Sequence, residues 1–359
     1  MKKLRAGILG ATGAVGQNYI HLLKDHPWFK ITFLAASKET KTYKEAVSER
    51  GWFMPKDISN DVASLTVHDA KNIHAAEDLC DFVFSALDAE PAKELEPLYA
   101  NELPVVSNAS AYRKDPLVPM IMPELNNDHL DIIPAQKKVK GFKNGFIVVK
   151  PNCSLQSYMA PVYALIKAGY DVDKLIITTL QASSGAGRPG VSSLDLIDNI
   201  VPFIKGEEEK SENEPCKILG KIENNEIKNH AGLRISATCT RVPVRDGHTA
   251  CVNLSFSGEE PSFFEILNIW KNFKGVPQEY DLPFAPKQPI IYRNEDNRPQ
   301  PVIDREADKG MAVTVGRLRK CNIFDYKFVC LSHNTIRGAA GGGILNAELL
   351  VHEGYIKRR

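Results

Sequence analysis

A cysteine in the run Pro151-Asn152-Cys153-Ser154 stands where an apolar segment gives way to a helical one. The preceding residues 145–149 are short, apolar and rich in β-branched side chains, and read as a buried strand. Past the cysteine, Tyr158, Pro161, Val162, Ala164, Leu165 and Ile166 suit a helix, with Pro161 tolerated only near its first turn. A thiol at a helix N-terminus faces free backbone N–H groups and the positive end of the dipole, and both favour the nucleophilic thiolate. The competing reading is a buried, inert cysteine, the commoner fate of a thiol in a globular chain.

Other residues would give that thiol a task. Gly10, Gly13 and Gly16 lie between the first strand and the first helix, where glycine lets the backbone turn tightly against a pyrophosphate seated on the helix N-terminus. Their spacing is G-x-x-G-x-x-G rather than G-x-G-x-x-G, so a plain tight turn is the alternative. NAD enzymes carry an acid about 20 positions on. Here the second strand ends Ala35-Ala36-Ser37-Lys38, and a hydroxyl with an ammonium suits a 2′-phosphate and therefore NADP. Glu39 is the ribose ligand instead if that strand ends later.

Gln181-Ala-Ser-Ser-Gly-Ala-Gly-Arg-Pro-Gly190 is dense in flexible and hydrogen-bonding residues, and taken alone it is equally well a loop. Arg241 and His248 are seven positions apart, an odd separation that points them to opposite faces of one extended strand. Both reach one site only if the strand ends before Asp246-Gly247. A histidine such as His248 is, by itself, more often structural. Ser107-Asn-Ala-Ser-Ala-Tyr-Arg113 follows a strand whose carboxyl end would face ligand in a parallel sheet. Lys210 follows three glutamates, and residues 204–214 read as a loop or an exposed helix.

These groups need a scaffold. The chain has 359 residues, enough for two domains, with 43% hydrophobic and 25% charged residues, an ordinary globular composition. Its net charge of +1 gives no reason to expect nucleic acid or an anionic membrane as partner. The start runs into a strand with no cleavable apolar region, and no apolar run is long enough to span a membrane. Seven cysteines without a C-x-x-C pair argue against a zinc or iron–sulfur site and against a disulfide scaffold. A reduced, cytoplasmic enzyme without a metal is expected.

Candidate strands at 6–9, 31–34, 82–85, 105–107 and 146–149 alternate with helical stretches such as 15–24 and 91–100. That alternation implies βαβ units and a mostly parallel sheet. From about Asp171 longer β-rich runs take over, at 175–182, 234–244 and 250–256, and suggest an antiparallel sheet with one packed face. The end, Gly338 to Leu350, reads as a glycine-rich turn entering a helix that packs back on the first domain.

Taken together, the motifs resemble the aspartate-β-semialdehyde dehydrogenase family, in its archaeal and fungal-type branch, over essentially the whole chain. The matching stretches are Gly10–Gly16, Ser107–Arg113, Pro123-Glu-Leu-Asn126, Pro151–Ser154, Gln181–Gly187, Pro202–Lys210, Arg241–His248 and His333–Gly341. The resemblance implies an α/β fold: a Rossmann-type NADP-binding domain over residues 1–152, completed by a C-terminal helix within 335–359, and an α+β catalytic and oligomerisation domain with a mainly antiparallel sheet over 153–334. It implies NADPH-dependent reduction of L-aspartyl-4-phosphate to the semialdehyde, on the route to lysine, threonine and methionine. By position, Cys153 matches the nucleophile, His248 the acid/base and Gln181 the residue that orients the acyl group. Arg241 matches the grip on the α-carboxylate and Glu207 the residue near the amino group, while Arg113 and Lys210 match the phosphate binders, with Asn152 beside them. Thr12, Ala14, Val15, Ser37, Ser184, Gly185 and Asn334 match cofactor contacts, joined by Gly10, Gly13, Lys38 and Ser85.

On this reading thiolate attack on the acyl phosphate leaves a thioester. Backbone N–H groups after Cys153 would stabilise the oxyanion, and a proton from His248 would assist collapse of the reduced adduct. The chain departs from the family's usual threonine at Leu155, which either repacks the helix start or alters the active-site wall. The rival readings are an acyl-CoA reductase such as malonyl-CoA reductase, a more distant acetylglutamyl-phosphate reductase, and a non-catalytic NADP-binding protein. The partners expected are the small-molecule substrate, phosphate and a second copy of the chain, as homodimer or homotetramer.

Overall fold

A computed structural model describes residues 2–359, organised on two six-stranded sheets. The first consists of β1 (Leu4–Leu9), β2 (Phe29–Ala36), β3 (Val67–Asp69), β4 (Phe82–Ser85), β5 (Pro104–Ser107) and β6 (Phe146–Val149). All pair in parallel, in the order β3-β2-β1-β4-β5-β6. This is the doubly wound order of dinucleotide-binding sheets, whose ligands gather at the carboxyl ends where the order reverses between β1 and β4. Strands β4, β5 and β6 are buried at every position, which is why they read as unbroken apolar runs. Pairing carries β1, β2 and β5 beyond the apolar stretches visible in the sequence, since ladder bonds do not depend on side-chain type.

The final helix, Gly341–His352, packs against helix Ala14–Leu22 of this half. Nδ1 of His26 accepts the backbone N–H groups of Trp28 and Phe29, so its other nitrogen carries the proton and donates to Glu348 at 2.8 Å. Glu348 also accepts from the Phe284 backbone, which ties three distant segments together at one buried carboxylate.

After β7 (Val172–Gln181) and the small hairpin β8 (Lys221–Glu223) and β9 (Glu226–Lys228) come β10 (Arg234–Arg241), β11 (His248–Phe256), β12 (Ile290–Arg293), β13 (Val313–Lys320) and β14 (Tyr326–Ser332). The second sheet runs β10-β7-β11-β14-β13-β12. Three of its pairings are antiparallel, whereas β10–β7 and β12–β13 are parallel, so the sheet is mixed. The parallel β7–β10 pair has a physical cause. A long excursion through helix Glu207–Ile218 returns the chain in its original direction, and that helix lies on β10.

One apolar cluster runs from the first sheet (Val83, Val105, Ile147) through helix Met159–Lys167 (Met159, Leu165) to the second (Leu175, Val252, Phe328). Trp270 donates its indole N–H to the Pro161 carbonyl at 2.9 Å and fastens helix Phe263–Asn272 to that layer. The cluster thereby fixes the junction between the sheets, where Cys153 lies. No helix among the described residues is long and apolar enough to cross a membrane.

Candidate active site

Cys153 follows β6, but not at the start of an α-helix. A 3-10 turn, Leu155–Ser157, intervenes before helix Met159–Lys167. The helix therefore cannot act on the sulfur as a sequence-adjacent dipole. Burial pushes the thiol above its ordinary pKa and the Glu207 carboxylate adds to this, against Lys150, Arg113 and Arg241. The expected thiolate is thus not the resting form. The oxyanion donors expected after Cys153 are also partly committed, since Asn152 Oδ1 accepts both the backbone N–H of Ser154 at 2.8 Å and its hydroxyl at 2.7 Å. Leu155 is fully buried in the apolar cluster, so its departure from threonine repacks the turn.

His248 Nε2 lies 3.3 Å from Cys153 Sγ. Nδ1 accepts the Ala182 backbone N–H at 3.0 Å, which leaves the neutral ring's proton on Nε2, facing sulfur. Burial, with Arg241 nearby, lowers the histidine to about 3, so the ring is neutral. The separation of Arg241 from His248 resolves as the sequence required. β10 ends at Arg241, a turn carries Asp246-Gly247, and β11 begins at His248. Arg241 donates to the Ala182 carbonyl at 2.8 Å, so one residue orients both side chains through its two backbone groups.

The polar wall comes from helix Glu207–Ile218. Glu207, Ser211 and Glu214 sit on one buried face, at positions 0, 4 and 7 of the helical repeat. The acidic run is therefore neither a loop nor an exposed helix, because its inward carboxylates have partners. Glu207 accepts from Asn152 Nδ2 at 2.9 Å, Gln181 Nε2 at 3.2 Å and Lys210 Nζ at 2.8 Å. Glu214 accepts from Arg113 at 3.0 Å and from the Asn152 backbone at 2.6 Å. Arg113, Asn152, Cys153, Gln181, Glu207, Lys210, Arg241 and His248 are thus joined in one constellation. Sequence reasoning missed Glu214 and Ala182. The polar spacing of Glu207, Ser211 and Glu214 was the available signal for the first, and a backbone contact leaves none for the second.

The candidate cofactor residues fall into two groups. Gly10 takes a left-handed φ of +74° at the turn after β1, and a Cβ there would lie 2.7 Å from the Ala86 carbonyl. Gly13 caps helix Ala14–Leu22, whose first turn, with Ala14 and Val15, holds no acidic side chain. That is a suitable end for an anion, with Thr12 beside it. Ser37, Lys38 and Glu39 are exposed beyond the end of β2, with the serine and the lysine first. Ser85 ends β4, next to β1, buried and with its hydroxyl unpartnered. The second group adjoins the thiol. Ser184 accepts from Asn334 at 2.8 Å, and Asn334 accepts from the Gly247 backbone at 2.8 Å. A Cβ at Gly185 would lie 2.6 Å from Arg241 Nη1 and 2.9 Å from His248 Cε1. The residues therefore fit a dinucleotide with its pyrophosphate on the glycine turn and its other end over the thiol.

A family model described as semialdehyde dehydrogenase, NAD binding domain, matches residues 5–133, and one described as semialdehyde dehydrogenase, dimerisation domain, matches residues 162–337. The aspartate-semialdehyde dehydrogenase of Cryptococcus neoformans is 45% identical over 361 residues, covering 99% of each chain. That of Archaeoglobus fulgidus is 45% identical over 354 residues, covering 98% of each. The crystal structure of aspartate semialdehyde dehydrogenase with NADP from Candida albicans is 39% identical, with a TM-score of 0.89 over 98% of this chain and 100% of that one.

Proposed function

The chain belongs to the aspartate-semialdehyde dehydrogenases, within the semialdehyde dehydrogenase family, and we propose that Cys153 carries the acyl group of its substrate. The enzyme is an NADP-dependent oxidoreductase of amino-acid biosynthesis that interconverts L-aspartyl-4-phosphate and the 4-semialdehyde. The observation that carries the site assignment is the 3.3 Å approach of Cys153 Sγ to His248 Nε2, beside a carboxylate held by Asn152, Gln181 and Lys210.

In this reading sulfur attacks the acyl carbonyl, a C–S bond forms, the C–O bond to phosphate breaks, and the proton of the thiol ends on the leaving phosphate. Arg113 suits a bidentate hold on the leaving phosphate and Lys210 a point-charge hold. Arg241 grips the α-carboxylate and Glu207 receives the α-ammonium group, while Gln181 and Asn152 orient the carbonyl. NADPH, when bound, supplies the hydride that reduces the thioester. Collapse of the reduced adduct returns the electron pair to sulfur, and His248 Nε2–H stabilises the departing thiolate.

The binders read for the cofactor are Gly10, Thr12, Gly13, Ala14, Val15, Ser37, Lys38 and Ser85 on one side and Ser184, Gly185 and Asn334 on the other. Ser37 and Lys38, first beyond β2, support a 2′-phosphate contact. Residues 1–152 with 335–359 form the cofactor half in this assignment, and residues 153–334 the catalytic half. The matched dimerisation domain points to assembly of two copies. The outward face of β7 and β10, with Ile176 40% exposed, and the exposed Leu194, Ile197 and Phe203 nearby in sequence support a homodimer rather than a monomer. Seven unpaired cysteines suit a cytoplasmic setting.

The deciding assay follows NADPH oxidation with aspartyl phosphate and with malonyl-CoA. Turnover of the phosphate substrate is expected, whereas turnover of the thioester alone would assign the protein to acyl-CoA reduction. Cys153→Ala should abolish turnover and keep NADPH binding, and surviving activity would remove the covalent step. Lys38→Ala should raise the KM for NADPH about tenfold, the equivalent of one charge-assisted contact, and leave that for NADH unchanged.

A further inference from the structure

Lys150 is 2% exposed, three residues before Cys153 at the end of β6, and it takes no part in the steps above. Its ammonium donates to the Pro151 carbonyl at 2.7 Å, and that is its one hydrogen-bond partner among the described residues. A buried cation without a carboxylate is costly, and such a group shifts toward its neutral form unless a counter-charge is supplied. Both neighbouring carboxylates are committed: Glu214 to Arg113 and the Asn152 backbone, Glu124 to Arg337 at 3.0 Å.

Two glycines place Lys150 relative to the nucleophile. A Cβ at Gly338 would lie 2.9 Å from Cys153 Cβ, and one at Gly342 would lie 3.0 Å from Lys150 Cδ. Gly338 lies in the π-turn Ile336–Ala340, kinked at Ala339, and Gly342 in the first turn of Gly341–His352, so the thiol's Cβ and the lysine stem pack against one short run of chain. Beside the lysine a cavity of about 10 Å³, lined by Lys150, Arg337, Glu124 and Asn346, has room for roughly one water. So little solvent screens weakly, and charges here act on one another strongly.

We propose that Lys150 is a positioning residue whose ammonium is the buried counter-charge against which Cys153 ionises, a role that rests on Cys153 being the nucleophile. The proton sits on sulfur in the neutral pair and on Nζ in the charged pair, so the transfer leaves the net charge of the site unchanged. Lys150 is poised for this exchange. Burial, with Arg113 and Arg337 beside it, lowers the ammonium to about 7, against the opposing pull of Cys153 and Glu214. The other groups facing the sulfur are Glu207, which opposes ionisation, and Arg113 and Arg241, which favour it, with His248 as the neutral donor. Arg113 and Arg241 are each drawn to a substrate anion in the proposed complex, and Lys150 is the cation left to the thiolate.

The test is the rate of Cys153 alkylation by iodoacetamide across neutral and alkaline pH, read at the Cys153 peptide, with kcat/KM and NADPH binding measured alongside. Lys150→Met should slow alkylation at neutral pH about fivefold, where the ammonium is still about half present, and leave the alkaline midpoint nearly unmoved, with NADPH binding unchanged. The acid limb of kcat/KM should move up in the same variant. Lys150→Gln keeps a donor for the Pro151 carbonyl and should behave as Lys150→Met, which provides a folded neutral variant should methionine unsettle the turn. Lys150→Arg, charged throughout, should be alkylated at neutral pH at least as fast as the wild type. An unchanged neutral-pH rate in the neutral variants, or an arginine variant slowed as far as they are, overturns the proposal. Cys153→Ala tests the nucleophile independently, so the two ideas fail separately.

Discussion

The Ala182 backbone N–H donates to His248 Nδ1 over 3.0 Å and thereby determines which nitrogen of that ring carries the proton. A neutral ring so held presents Nε2–H to Cys153, so His248 is a hydrogen-bond donor to sulfur and not an acceptor of the resting thiol's proton. His248→Ala should lower kcat by a factor of about 10²–10⁴, the usual contribution of a positioned acid. Because burial lowers this ring to about 3, it does not change charge near neutrality. The pH profile of kcat/KM should therefore lack a limb near 6.5 belonging to His248. Such a limb that vanished in His248→Gln would show that the ring protonates in the working range.

Glu207 acts on the thiol in the opposite sense from the cations, since its carboxylate helps to raise the pKa of Cys153. Glu207→Gln should lower the pH midpoint of Cys153 alkylation while raising the KM for aspartyl phosphate about tenfold or more, through loss of the ammonium contact. The divergence of the two readouts is the diagnostic result. A variant with an impaired KM and an unmoved thiol would make Glu207 a substrate ligand only.

Gly185 is required by its neighbours, not by its backbone angles. A methyl group there would overlap Arg241 Nη1 and His248 Cε1 at 2.6 Å and 2.9 Å. Gly185→Ala should cut kcat/KM by about 10² or more with little change in melting temperature, because a displacement of about 1 Å at a reacting group is enough. Gly187 is the control. It has a left-handed φ of +71° and open space around its Cβ position, so Gly187→Ala should cost backbone strain, about 1 kcal/mol, and far less activity. Equal activity losses at the two positions would point to loop mobility as the common cause.

Particular residues show how far the chain could be read unaided. Strands β4 and β6 were legible to the residue, since both are apolar, short and buried on both faces. The glycine turn and the cysteine were legible because each needs a residue type that few others can replace. Helix Glu207–Ile218 was not, because Glu207 and Glu214 are charged yet inward, and composition cannot distinguish a solvated carboxylate from a partnered one. The ionisation of Cys153 was misjudged for a related reason. Helix N-termini can be read from local sequence, whereas burial and Glu207 come from 54 positions away. The parallel pairing of β10 with β7 was equally hidden, because strand direction follows from the path of the intervening chain.

Glu96 couples the cofactor-side sheet to pH. It is fully buried on helix Ala89–Ala100, accepts from Ser107 at the end of β5 at 2.5 Å, and keeps its second oxygen unpartnered. Burial raises its pKa from 4.5 to about 7, opposed by the Ser107 hydroxyl, by the nearby Ser85 hydroxyl, which forms no hydrogen bond with it, and by Arg113. Between those values the native state binds a proton that the unfolded chain has released, so stability is lost as pH rises. The protonated carboxyl's contribution is fully present below about 4.5, declines up to about 7, and is gone above that. A shift of this size corresponds to about 3 kcal/mol, at 1.4 kcal/mol per unit. Glu96→Gln imitates the protonated carboxyl, so it should match the wild type in denaturant melts in mild acid and exceed it increasingly toward pH 8. A wild-type advantage at pH 8 would mean that the ionised carboxylate is held favourably by Arg113, and that its charge, not its proton, supports the sheet.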